Sequence, residues 1–315
     1  MRYAGLGLAQ AIGILFECTC RHDDVTTSGR GDNDMIWKEV MVMVCAVTFV
    51  SLSGTGMRAA SVHPMLRHHR TLMPADYAPS IAPEDFTTHI DNPYFTLSVG
   101  KRLLYQVRAA DNSALIERIE IMIPGWTRRV NGVLTLVFWD RVYKNGQLIE
   151  DTRDYIAQHR RTGDVWYFGE HVDNYKNGVL TDHEGQWLAG ENGAQPGRLV
   201  LGTPIMGAYF INEYLPGEAQ DDTLVVGLHE TVHTPVGAFS GCVKHLDGSP
   251  LFSEFEHTYY CADDGVQGTV YEAAFNEQGE LEEIVELMEI DLSGASDIVL
   301  PAAYERQGVV PAQSK

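Results

Sequence analysis

The chain has 315 residues, 44% of them hydrophobic and 10% aromatic, enough for one large core or two small ones. Its 23 basic residues face 43 acidic ones, and the formal net charge of -20 repels nucleic acid and anionic headgroups, so neither is expected as a partner. The acidity is read as a means of solubility, with affinity for cations or a basic partner as the sharper alternative.

Residues 1–60 are expected to be a leader. From Met35 the chain reads Met-Ile-Trp-Lys-Glu, then the apolar run Val40–Val50, then small residues to Ser61. A basic start, a short apolar core and small residues near a break resemble a secretory signal peptide. A start at Met35 fits that pattern, since residues 1–34, with Cys18 and Cys20, lie upstream of it. The apolar run is short for a membrane span, and a buried strand is its alternative reading. The mature chain is expected to be periplasmic or extracellular, with no integral membrane span. Residues 61–84, with His68, His69, Pro74, Pro79 and Pro83, read as a linker.

Residues 85–300 read as one antiparallel β domain. Strand-like runs rich in Val, Thr, Tyr, Trp and Phe recur from Lys101 to Ile290, and only the short stretch Ala82–Thr88 has helical spacing. Tyr-Lys-Asn-Gly occurs twice, at Tyr143–Gly146 and Tyr175–Gly178. Asn-Gly suits a two-residue hairpin turn because both residues tolerate positive φ. Asn131–Gly132 and Asn192–Gly193 follow the same logic, with weaker turns at Asp247–Gly248 and Asp264–Gly265. The fold class is therefore all-β, an antiparallel meander closing into a curved sheet, barrel or sandwich. Residues 301–315 are expected to be a disordered tail.

The turns also set registers. Around Asn145–Gly146, unbroken pairing places Arg141 opposite Glu150, Asp140 opposite Asp151 and Trp139 opposite Thr152. Asp140, Asp151, Arg153 and Tyr155 would then share one face, as an acid/base or cation site or as two carboxylates bridged by Arg153. Around Asn177–Gly178, His171 would face Glu184 and Asp173 would face Asp182, a set suited to a divalent cation. The bland reading of that set is an exposed polar tip. Trp139, Trp166 and Tyr155 are candidates for an apolar ligand-binding wall, with core packing as their ordinary role.

His229-Glu230-Thr231-Val232-His233 matches the H-E-x-x-H string of zinc proteases. That chemistry needs a helix. β-Branched neighbours and Pro235 point instead to a strand, where residues four apart lie about 13 Å from each other. Cys242 and Cys261 are an even pair beyond the leader. They flank a predicted hairpin that would place Val243 opposite Tyr260 and Leu246 opposite His257. A disulfide is expected there, with two reduced buried thiols as the alternative.

Asp91-Asn92-Pro93-Tyr94-Phe95, Glu150-Asp151-Thr152 and Asp164-Val165-Trp166-Tyr167-Phe168-Gly169-Glu170 resemble a family of exported bacterial proteins of unknown function, over roughly residues 85–290. The resemblance implies export and a β-rich domain. It transfers no activity and no catalytic residues. The reading overall is a monomeric exported domain that binds a small or amphipathic ligand, with Asp140, Asp151 and Arg153 as polar contacts. The alternative is a hydrolase using the carboxylate pair or a divalent metal.

Overall fold

The computed structural model describes residues 74–262, 266, 268–294 and 298–312. The signal peptide, the start at Met35, the histidine pair and the Asp264–Gly265 turn lie outside them. Strand accounts for 61% of the structure and helix for 3%, so the sheet has no helical layer to cover its edges and must close on itself.

It closes as a ring of 12 antiparallel strands. In chain order these are β1 (Arg102–Ala109), β2 (Leu115–Met122), β3 (Val133–Lys144), β4 (Gln147–His159), β5 (Val165–Lys176) and β6 (Gln195–Val200). They continue as β7 (Tyr209–Leu215), β8 (Ala219–Thr234), β9 (Gly237–Gly248), β10 (Phe255–Cys261), β11 (Gly268–Phe275) and β12 (Leu281–Asp291). Each strand pairs with the next, and β12 returns to β1 with Val285 opposite Val107. The ring is flattened where β8 approaches β11 and β12 across the interior. Strand β6 contains Pro196 and Gly197, which hide its strand periodicity in the sequence. Ala82–Thr88 forms one 3-10 turn, Pro83–Asp85, and then a short strand, not a helix.

All four Asn-Gly pairs are turns. Their asparagines have φ between 47° and 54° and their glycines between 76° and 87°. Asp247–Gly248 is not the expected turn: both residues pair with β10 at Glu256 and Phe255, and the chain turns only afterwards.

Both Tyr-Lys-Asn-Gly hairpins carry a β-bulge at the same place. Tyr143 faces Leu148 but Val142 faces Glu150, leaving Ile149 as the extra residue. Tyr175 faces Leu180 but Asn174 faces Asp182, leaving Thr181 extra. A bulge shifts the register by one residue, and one residue reverses every side chain beyond it.

One end of the ring is plugged. Ile90–Asn92 and Phe95–Leu97 form a separate hairpin. The Phe95 ring lies 6.0 Å from Phe138 on β3 and 6.1 Å from Tyr260 on β10. Those strands are not neighbours, so Phe95 sits inside the ring. The Asn92 side chain donates to the carbonyls of Gly163 and Leu201 at 2.9 and 3.2 Å. The amides of Asp91 and Asn92 donate to Gln158 Oε1, both at 2.9 Å.

The C-terminal segment is ordered against the outside of the ring, contrary to the expected disordered tail. Helix α1 (Ala302–Arg306) buries Tyr304, and Val310–Pro311 pairs with Trp126–Val130. An aromatic anchor explains the difference: Tyr304 packs on Trp126 and Trp139 at 6.0 and 6.1 Å.

Cys242 and Cys261 are joined in a disulfide. The register is the expected one, with Val243 opposite Tyr260 and Leu246 opposite His257. Replacing Cys242 by Ser should lower unfolding stability by about 3 kcal/mol, the loop-closure value for a loop of this size. Urea unfolding under oxidising conditions checks this, and an unchanged midpoint would mean the bond adds nothing to stability.

Candidate functional site

The bulge at Ile149 separates two groups of charged residues that the sequence reading placed together. Trp139 faces Arg153, Arg141 faces Asp151 and Asp140 faces Thr152. Asp151, Arg153 and Tyr155 therefore share the face of Trp139 and Arg141. Asp140 shares the opposite face with Phe138, Glu150 and Asp154. The expected pairing of Asp140 with Asp151 is not formed.

The first face points outward, under α1. Arg153 is fully buried, and its Nη1 lies 2.9 Å from both Asp151 Oδ1 and Asp173 Oδ2. Two carboxylates bridged by Arg153 is thus the observed arrangement, with Asp173 in the role assigned to Asp140. Asp173 sits directly opposite Asp151 on the neighbouring strand. Trp139 Nε1 and Tyr304 Oη donate to the two oxygens of Asp151 at 2.9 and 2.8 Å, and the Arg153 guanidinium stacks 4.3 Å from the Tyr304 ring centre. Burial disfavours the Arg153 charge, but Asp151, Tyr304 and Asp173 outweigh it and hold the pKa above the ordinary value.

The expected metal set is not assembled in that register. The bulge at Thr181 puts Asn174, not Asp173, opposite Asp182; across the other edge of β5 His171 faces Arg153, and its ring contacts Tyr155 Oη and Arg128 Nη1, each at 2.7 Å from Nδ1. Burial, then Arg128 and Arg153, lower its pKa to about 3, so the ring is neutral at pH 7. Asp173 is held by Arg153 and by His183 at 2.9 Å. Asp182 accepts from Asn174 at 2.7 Å, and Glu184 is exposed. Among the described residues no group of three or more His, Cys, Asp or Glu is arranged to hold a metal ion. His229–His233 lies on β8, as a bulged strand with His229 at φ 65°. A zinc-protease helix is absent there. Trp166 packs on Phe86 and Arg198, on the outer face with Tyr155, so the proposed apolar wall and Asp140 lie on opposite sides of the sheet.

The second face points into the ring. Asp140 on β3 is influenced by Asp154 and Glu150 on β4 and by Glu272 on β11, which can meet only across the interior. Asp140 is 1% exposed, and neither carboxyl oxygen has a hydrogen-bond partner. Asp154 accepts from Tyr167 Oη at 2.8 Å through Oδ1, while its Oδ2 has none. Gly169, at φ 118°, makes room here: a Cβ would strike the Trp187 carbonyl, and Trp187 packs against Tyr167. Further round the ring, Glu213 lies opposite Asp221, and Glu256, Glu272 and Glu283 line β10 to β12. Their immediate sequence does not mark these acids as inward: Glu213 follows Asn212, Asp221 precedes Asp222 and Glu283 follows Glu282.

Removing carboxylates from water without cations raises their pKa values. Burial, then Asp154, Glu150, Asp151 and Glu272, hold Asp140 well above the usual range. Asp154 is raised to about 7 by burial, against the Tyr167 hydrogen bond. Burial also raises Asp221 and Glu283 to about 7, and lifts Glu213, Glu256 and Glu272 well above the carboxylate range.

No protein-family model matches the chain, and no curated protein matches it in sequence. Several solved structures resemble it, among them two bacterial proteins. One is a Bacteroides fragilis protein described as exported, with a YmcC-like fold, at 14% identity and a TM-score of 0.35, covering 62% of this chain and 98% of its own. The other is a Parabacteroides distasonis protein described as a lipoprotein, at 12% identity and a TM-score of 0.36, covering 63% and 98%.

Two outcomes follow. Tyr304→Phe removes only the hydroxyl donated to Asp151 and should cost about 1.5–3 kcal/mol, whereas Tyr304→Ala should cost about 3–5 kcal/mol. Equal unfolding midpoints for the two variants would mean that the ring of Tyr304 is not packed. The inward carboxyls bind protons more tightly folded than unfolded. Their stabilisation is complete below the unfolded pKa, about 4, and is lost as pH rises through the folded values. Stability should therefore fall from pH 5 to pH 8. Asp140→Asn removes part of that fall, so its stability relative to wild type should rise by up to about 1.4 kcal/mol per pH unit. Urea unfolding across that range checks the sign, and a pH-independent difference would exclude a proton held by Asp140.

Proposed function

We propose that this chain is an exported β-barrel protein that binds a small ligand inside the ring, with Asp140 as the polar anchor. The observation that carries the reading is the pair of Asp140 oxygens, buried and without hydrogen-bond partners among the described residues. Native structures rarely leave such groups unsatisfied, because each costs about 1–3 kcal/mol or more. A bound molecule that supplies donors removes that cost. One end of the ring is occupied by the Phe95 hairpin, which leaves the opposite end as the way in. Export is supported by the signal-like run Val40–Val50 and by the Cys242–Cys261 disulfide, a bond that persists in oxidising compartments.

No helix among the described residues is long and apolar enough to cross a membrane. The outer faces of β1 to β3 carry the ion cluster Arg102, Glu120 and Arg141, which a lipid-facing band would exclude.

A hydrolase is the second reading, favoured by one observation. Asp154 has its pKa near 7 beside a more strongly raised Asp140, and such separation suits general acid/base work. The two readings differ in what Asp140→Asn removes: affinity for a binder, turnover for an enzyme.

The neutral fluorophore N-phenyl-1-naphthylamine tests the binding reading. The wild type is expected to enhance its fluorescence with one-to-one saturation. Val142→Trp, which fills the interior beside Asp140, should weaken binding by about tenfold or more at a folding cost of about 1–3 kcal/mol. No saturable binding, or binding unaffected by Val142→Trp in a folded variant, would overturn it.

A further inference from the structure

We infer that the interior takes an organic cation, a protonated amine on an apolar body, with the ammonium on Asp140 and the body against Phe138 and Tyr105. This rests on the binding reading above and names its ligand class.

The polar groups around Asp140 are mostly acceptors. Asp140 offers both carboxyl oxygens and Asp154 offers Oδ2, all buried without hydrogen-bond partners. The arginines of β3 and β4 cannot supply the missing donors. Arg141 turns outward to Glu120, and Arg153 turns outward to Asp151 and Asp173. Lys144 ends near the turn, 3.4 Å from Glu117. An ammonium group brings three donors and a positive charge. An anionic ligand would deepen the deficit, and the acids' own protons, one O–H each, leave their remaining oxygens unpaired.

The rest of the wall argues for an organic cation over a metal ion. Phe138 and Val142 flank Asp140 on the same face of β3, and Ile119 and Tyr105 continue that face across β2 and β1. All of these are buried. A divalent ion needs several oxygens converging at about 2.0–2.6 Å, and the described residues show no such group. An alkylammonium matches both halves of the wall, because apolar surface covers its body and aromatic faces attract its charge. The net charge of -20 also concentrates cations near the protein. With the Phe95 hairpin closing one end, entry would be from the end that carries the Asn145–Gly146 turn.

Binding should depend on pH. Asp140 faces Asp154 and Glu150 on β4, Glu272 on β11 and Tyr105 on β1, with Asp151 behind the sheet. Burial and these acids keep it protonated, so the cation must displace a proton. Affinity should rise from pH 6 to pH 8, with proton release on binding.

The test is calorimetric titration of the full exported protein with octylammonium, octanol and octanoate, each below its micelle concentration. Octylammonium is expected to bind one-to-one, at least about tenfold more tightly than octanol, with no measurable octanoate binding. Asp140→Asn and Asp154→Asn should each weaken octylammonium by about tenfold or more, the usual effect of losing a charged hydrogen bond. Should these variants fail to fold, the wild-type preference for octylammonium over octanol and its rise with pH decide alone. Octanol or octanoate binding as tightly as octylammonium would overturn the cation inference and leave ligand binding intact. Calcium or zinc binding that disappears in Asp140→Asn would overturn it in favour of an inorganic site. If none of the octyl probes binds while N-phenyl-1-naphthylamine does, the cation inference alone fails. If nothing binds, both readings fail.

Discussion

The extra residue at Ile149 fixes which charges lie inside the ring and which outside. Because side chains alternate along a strand, a one-residue shift in the β3–β4 ladder sends Asp151, Arg153 and Tyr155 to the face of Trp139, away from Asp140. The neighbouring ladder keeps that partition, since Asp151 faces Asp173 and Asp154 faces Glu170 across β4 and β5. Arginine and paired carboxylates therefore collect on the outer side, beneath α1. Carboxylates without arginine collect on the inner side. A straight hairpin would have put Arg153 beside Asp140 and neutralised it.

The two sides then follow opposite electrostatic rules. Outside, the two Nη groups of a buried guanidinium meet two carboxylates, a carbonyl and Gln307, and its plane lies on the face of Tyr304, so its desolvation is largely compensated although Nε has no hydrogen-bond partner. Inside, a fully ionised set of acids would repel strongly at low effective dielectric. The interior instead retains protons, as the raised values around Asp140, Glu213 and Glu272 indicate. Stability and charge state are linked through those protons, and any cation entering the ring trades against them.

The sequence made the turns legible because Asn-Gly encodes positive φ locally, and two-residue turns leave little freedom in the first pairs of a ladder. The Cys242–Cys261 register followed from spacing alone because β9 and β10 pair without a bulge between Val243 and Gly248. The candidate site was only half legible. Ile149 and Thr181 are ordinary strand residues, and nothing in their identity marks a bulge; the evidence for one is the repetition of Tyr-Lys-Asn-Gly-x-Leu with the same irregularity behind it. The order of residues 302–311 depends on Tyr304 finding Trp126, Trp139 and Asp151, long-range contacts that no local pattern announces. Asp247–Gly248 failed as a turn for the opposite reason: Glu256 and Phe255 were available to extend the ladder past it.

The stretches that carried the family resemblance have structural roles that make their spacing intelligible. In the first, Asn92 ties the plug to the loop carbonyls at 163 and 201, and Phe95 enters the ring. In the third, Asp164 accepts from the Gly202 amide at 2.9 Å, Tyr167 holds Asp154, and Gly169 admits the Trp187 backbone. The second supplies Glu150 to the inner wall and Asp151 to the outer cluster. Together they close one end of the ring and position the acids above it. Such a combination constrains the closed end tightly and leaves the residues nearer the Asn145–Gly146 turn freer to vary.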